Sequence, residues 1–414
     1  MGRHSRAGRG VAWALLAGLG GATAVAAPTA SVQFAPTPLQ GPDARVLVYE
    51  LDVGNFAGIE CVRLARVRMQ AGQGAATMTT LLAGAELLGN MIVYDAAVQK
   101  VDLAPQDPID IPAGGGALIY LFVPLAVSLP TPVVLHHALD FGACRDDAGP
   151  GETVSVEVPV STTPPVVVGM PFSGSGWVAS DSSNEHGIHR RVAIPLRDAT
   201  GQPLPGQFHV PERYAIDWVK VDAQGRRTTG PANENASYLA YGLDVLAAAD
   251  GPIVATRDGM PDGTPPYNPP NATMETAAGN YIMQDIGGGN YAFYAHLIPG
   301  SQTVTQGQMV RRGDVIARLG NSGNSSEPHL HFHVSDHPDP LLSEGRPYVF
   351  DQFQITGQAD GMNDINGLFE HFLTHPPRLM RKVMPRSFSI IDTAPARAAP
   401  QPLPPPALVL PRRR

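Results

Sequence analysis

Pro328-His-Leu-His-Phe-His-Val334 is the stretch from which this chain is best read. Side chains on a strand alternate between faces, so His329, His331 and His333 form one row and Leu330, Phe332 and Val334 the other. The apolar row is expected to enter a sheet core and leave the imidazoles lining a groove. Same-face neighbours lie roughly 6.6 Å apart at Cα. That spacing lets one ring hold a metal while the next reaches a water beside it. A bare histidine row also fits a surface strand or a pH-sensitive patch, so its neighbours in sequence must decide.

Upstream stand Gly279-Asn-Tyr281 and Gly287-Gly-Gly-Asn-Tyr-Ala-Phe-Tyr-Ala-His-Leu297. Val304, Gly307, Val310, Gly313, Val315 and Ile316 follow, then Leu319-Gly-Asn-Ser-Gly-Asn-Ser325. Apolar residues punctuated by glycine at this density predict short strands and tight turns. The same texture runs through the first half, in Arg45 to Val53, Cys61 to Met69, Ala117 to Val123 and Thr153 to Val160. The predicted fold class is therefore mainly β. An N-terminal antiparallel β-sandwich of immunoglobulin-like kind is expected to precede a C-terminal antiparallel sheet or barrel-like domain.

The 414 residues exceed what one core organises, so two domains are expected. With 43% hydrophobic and 16% charged residues the profile is globular. A net charge of -8 and the lack of a basic stripe with interleaved aromatics argue against nucleic acid as a partner. Arg3, Arg6 and Arg9 precede an apolar run from Val11 to about Ala27, which reads as a cleaved export signal over 1–27. Export to the periplasm or outside the cell follows, with no stable membrane insertion after cleavage. Cys61 and Cys144 are the two cysteines, and in an oxidising compartment they are expected to pair. The expected sandwich covers 28–161 and the C-terminal β domain 166–355. A short helical extension is predicted over 356–394, through Asn366 to Leu373, and a disordered Pro-rich tail over 395–414. Oligomeric state is not legible.

The ordered set around the histidine strand resembles the lysostaphin- and LytM-type zinc endopeptidases. Their domains carry Y-x-H-L, then G-x-x-V-x-x-G-x-x-I, then G-x-[ST]-G, then H-L-H-F. The likeness runs from about Ala255 to Val334; the G-x-x-V-x-x-G piece alone would equally fit a biotinyl or lipoyl hairpin. The resemblance implies a bound Zn2+, with His331 as a ligand. It implies His329 as general base and His296 as the residue that orients water or stabilises the oxyanion. The implied substrate is the peptide part of peptidoglycan. His333 has no usual role in the family and is expected to be groove-lining or structural.

The family's remaining two ligands come from H-x-x-x-D, and here this chain departs. Arg213-Tyr-Ala-Ile-Asp217 and Ala240-Tyr-Gly-Leu-Asp244 both lack the histidine. Gly242 to Gly251 resembles an element that follows the metal aspartate in the family, which favours Asp217 over Asp244. The missing imidazole is expected from His189, or else from His186, one hairpin upstream. Three such ligands leave zinc an open position and bring a water pKa down to about 7. The alternative is a degenerate, zinc-free domain that binds cell wall or regulates other wall hydrolases. No H-E-x-x-H helix and no G-x-S-x-G elbow occurs.

Overall fold

The computed structural model describes residues 27–393 apart from 59, 73–77, 127, 129, 145–150, 183–186 and 364–367. The Pro-rich tail and, but for Ala27, the expected leader lie outside the described residues, as does His186. No helix among the described residues is long and apolar enough to cross a membrane.

Arg45–Gly54 and Gly116–Leu125 are rich in Val, Leu, Ile and Tyr on both alternating faces, and each is buried on both. They pair antiparallel in full register, from Arg45 opposite Leu125 to Gly54 opposite Gly116. One face, with Leu47, Leu51, Ile119 and Val123, packs against Leu64, Val67, Leu139 and Phe141 of a second sheet. That second sheet orders Glu152–Pro159, Val134–Ala143, Val62–Ala71 and Met78–Ala83. The result is a two-sheet sandwich. Cys61 and Cys144, at the paired ends of Val62–Ala71 and Val134–Ala143 in that second sheet, are joined by a disulfide. His137 is buried in the sandwich, its Nε2 2.8 Å from the Tyr49 hydroxyl, and burial pushes its pKa down to about 4.

The other face of the first sheet explains why those strands lack polar alternation: it is covered by the C-terminal half. Val48 joins the C-terminal core, while Leu118 and Tyr120 cluster with Phe208. Glu50 pairs with Arg213 at 2.7 Å, and Tyr214 donates its hydroxyl to the Val48 carbonyl at 3.2 Å.

An extended mixed sheet forms the C-terminal domain. Its central strands, in spatial order, are Trp177–Asp181, Ile216–Lys220, Leu330–Ser335, Asn290–Ala295, Tyr281–Gly287 and Gly251–Arg257. All these neighbours are antiparallel; Val166–Val168 runs parallel to Tyr348–Phe350 at the edge. Leu330, Phe332 and Val334 are fully buried in the core with Trp177, Trp218 and Tyr294. Each such side chain contributes on the order of 2 kcal/mol by leaving water.

The expected helical extension is corrected. Tyr348–Asn363 and Leu368–Val383 are two sixteen-residue strands that pair antiparallel, and Ser389–Asp392 then inserts between Tyr348–Asn363 and Trp177–Asp181. The expected boundary at 355/356 therefore falls inside a strand. Phe369 packs with Val178, Val219, Ala359 and Ile390, and Pro376-Pro377 would have broken a helix. Long-range pairing overrode the local pattern.

Candidate metal centre

Register assembles most of the site. Asp217 stands opposite His331 on the antiparallel neighbour, and Ala295, one residue before His296, stands opposite His331 on the other side. Directly opposed residues share a face. Ile216 and Trp218 therefore turn into the core with Phe332 and Leu330, while Asp217 and His331 turn the other way.

His189 comes from outside this strand pair, on the 3-10 turn His189–Arg191. Its Nε2 lies 3.3 Å from Asp217 Oδ2, and His331 Nδ1 lies 3.1 Å from Asp217 Oδ1. One ligand atom from each of the three residues falls within 4.8 Å of the others. Two imidazole nitrogens and a carboxylate oxygen at this spacing fit a tetrahedral zinc with one position left over.

His329 and His296 flank this triad, and each has its Nδ1 fixed by a carbonyl. His329 Nδ1 is 2.8 Å from Glu327 O, and His296 Nδ1 is 2.7 Å from Ser322 O. A carbonyl oxygen only accepts, so Nδ1 carries the hydrogen and the neutral ring has its lone pair on Nε2. His329 Nε2 is 3.3 Å from Asp217 Oδ1, and the His296 and His329 rings are 4.6 Å apart. His296 has φ 62°, in the left-handed region that residues other than glycine seldom occupy. Its backbone is tied on both sides: its N–H donates to Ala278 O at 3.2 Å and its carbonyl accepts from Gly320 N at 3.0 Å.

Charge explains the pKa directions. Burial works against ionisation of Asp217, yet the His189 and His329 imidazoles outweigh it and hold the carboxyl well below the usual range. Burial likewise opposes charge on His189 and His329, but Asp217 wins and raises both. Burial and the neighbouring His329 and His331 rings push His296 well below an ordinary histidine. Without a metal, imidazolium protons balance the carboxylate; a dication is a natural replacement for them.

All five residues singled out from the sequence therefore meet at one place. They line a cavity of about 280 Å³ with Ile188, Asn268, Asn324 and Leu341 among its walls. A larger cavity, about 480 Å³ between the domains, contains none of them. Asp244 is exposed on another strand, opposite Arg318, and takes no part. Arg213, at the position of the family's first histidine, points away to Glu50 and to Glu344, 3.1 Å from Nη2. His333 is structural rather than groove-lining: it is fully buried, with Nδ1 2.9 Å from His331 Nε2 and its ring 4.8 Å from Phe293.

Two residues escaped the sequence reading. Asp181 Oδ2 lies 2.7 Å from His189 Nδ1 and also accepts from the Ile188 N–H at 3.1 Å, which fixes how the ring faces Asp217. Glu327 forms a buried ion pair with Arg227 at 3.0 Å and supplies the carbonyl that holds His329. The Asp181–Asp217 cross-strand pairing could have flagged the first; no local motif flags the second.

In chemical class this is a donor set for a divalent transition metal beside two histidines able to move or hold a proton. Residues 238–342 match the model of Peptidase family M23. His296, His329 and His331 fall inside the matched residues, whereas His189 and Asp217 precede them. The chain is 31% identical over 159 residues to the peptidoglycan DD-endopeptidase ShyA of Vibrio cholerae serotype O1, covering 36% of this chain and 30% of that one. It is 38% identical over 118 residues to an uncharacterized metalloprotease of Haemophilus influenzae, covering 26% and 23%. The aligned stretches thus span less than a third of either relative. Among solved structures, the catalytic domain of lysostaphin from Staphylococcus simulans aligns at 19% identity over 42% of this chain and 84% of that one. Its TM-score of 0.21 is too low to support an argument.

Proposed function

We propose that this protein is an exported, zinc-dependent endopeptidase that hydrolyses peptide bonds of peptidoglycan. The observation that carries the reading is the meeting of His189, Asp217 and His331, one ligand atom from each within 4.8 Å of the others, with His329 and His296 alongside. The M23 match and the endopeptidase relative support the substrate class. The apolar N-terminal run supports export.

Zinc bound by His189, Asp217 and His331 supplies Lewis-acid activation of water and of the scissile carbonyl. His329, with Nδ1–H held by Glu327 O, presents Nε2 to take the proton of the attacking water and pass it to the leaving amine. His296 is kept neutral by burial and by the rings beside it. In the tautomer set by Ser322 O, its Nε2 accepts a hydrogen bond and so orients the attacking water. Asp181 Oδ2 stands 2.7 Å from the outer nitrogen of His189, and His333 hydrogen-bonds that of His331, the kind of outer partner that orients a ligand imidazole.

The test is zinc content and peptidoglycan digestion by the mature protein. His331→Ala should abolish both, whereas His329→Ala should keep zinc and lose turnover. A protein that takes up no zinc and releases no wall peptides would instead be the zinc-free wall-binding or regulatory domain.

A further inference from the structure

Among the described residues, the turn that carries His189 meets the central sheet through few groups. Its contact with the sheet there is made through the His189 ring and the Asp181 carboxylate. The next two residues instead reach into the N-terminal sandwich. Arg190 is 1% exposed, and its Nη2 donates to Leu121 O at 2.9 Å. Arg191 Nη1 donates to Gly89 O at 2.7 Å and Nη2 to Asn90 Oδ1 at 3.2 Å. Both guanidinium groups lie over the Tyr120 ring, at 6.0 and 5.4 Å from its centroid. Tyr120 in turn donates its hydroxyl to Arg191 O at 3.4 Å.

The seat is rigid. Tyr120 N donates to Asn90 O at 2.8 Å, which ties the acceptor loop to the strand Gly116–Leu125. Ala193, two residues further on, packs against the cluster of Tyr94, Leu118, Tyr120 and Phe208. A buried arginine hydrogen-bonded to a backbone carbonyl is costly to place unless its geometry is used. A long flexible side chain on a three-residue turn would otherwise leave the neighbouring imidazole free to swing.

We infer that the N-terminal sandwich is a working part of the metal centre, with Arg190 and Arg191 as positioning residues that set His189 by clamping its turn to that domain. This rests on the zinc reading above. The sandwich fixes where one of three ligands stands, so zinc affinity depends on contacts made in another domain.

Zinc affinity of the full mature chain, measured by competition with a chromophoric chelator, tests this. Arg191→Ala should weaken zinc about ten- to hundredfold, the usual range for a residue that orients a ligand. In a His189→Ala background the same change should cost nothing further, because the residue through which it acts is gone. Arg191→Lys, which keeps one donor for Gly89 O, should recover part of the loss, and carries the same cycle if Arg191→Ala does not fold. Equal losses with and without His189, or wild-type affinity in Arg191→Ala, overturn the inference. A wild-type chain that binds no zinc overturns the proposed function itself, a separate outcome.

Discussion

Asp217 and His331 face each other across two antiparallel strands, with Oδ1 and Nδ1 3.1 Å apart. That pairing is set by backbone register, so it exists before any ion arrives.

Because register places them, removing either should affect the ion and spare the fold. Asp217→Asn and His331→Ala are expected to lower zinc affinity by more than about a hundredfold, since changes to residues merely supporting a ligand already cost ten- to hundredfold. Isothermal titration on folded protein is the check. Retention of wild-type affinity in either variant would remove that residue from the ligand set.

His329 and His296 should separate from the ligands in kinetics. His329→Ala is expected to hold zinc and lose roughly 10²–10⁴ in kcat, as for a lost general acid–base. The His296→Ala loss should be similar or smaller. Release of wall peptides by zinc-loaded variants decides it; loss of zinc in His329→Ala would make that ring a ligand instead.

Asp52 gives a pH prediction away from the site. Burial, partly offset by the Tyr94 hydroxyl at 2.7 Å, pushes its pKa from 3.8 up to about 7. The folded state then binds the extra proton between those values. This contribution to stability is complete below about pH 4 and is lost as pH rises through 7, about 4 kcal/mol at most. Urea midpoints should therefore fall between pH 5 and 8 more in the wild type than in Asp52→Asn, which keeps an acceptor for Tyr94. Parallel profiles for the two proteins would exclude it.

The Cys61–Cys144 bond spans 83 residues of chain. Closing a loop of that length restricts the unfolded chain enough to add about 4–5 kcal/mol. The double variant Cys61→Ala/Cys144→Ala should unfold at correspondingly lower denaturant, and a shift worth under about 1 kcal/mol would show that the bond adds little.

Much of the centre was legible because its determinants are short-range. Alternation in Leu330 to Val334 fixed which histidines share a face, and the Gly-rich turns around His296 and Ser322 set the strand ends. His189 was legible as a candidate because the departure at Arg213 left one ligand missing. What stayed hidden depends on contacts distant in sequence. Asp181 becomes His189's partner only once Trp177–Asp181 lies beside Ile216–Lys220. The segment after Gly361 carries Leu368, Phe369, Phe372 and Leu373 at helix-like spacing, yet a sixteen-residue partner strand claimed it. Arg213 could not be assigned before the sandwich was seen to offer Glu50.

His296 sits where the backbone resists any side chain, a conformation costing on the order of 1–3 kcal/mol. Folding has already met that cost, through the two main-chain bonds to Ala278 and Gly320. The imidazole is therefore held in one pose, and a ligand entering the cavity need not rearrange it. Protein engineers replacing this position should find glycine or asparagine easy to fit, and any β-branched residue disruptive to the loop.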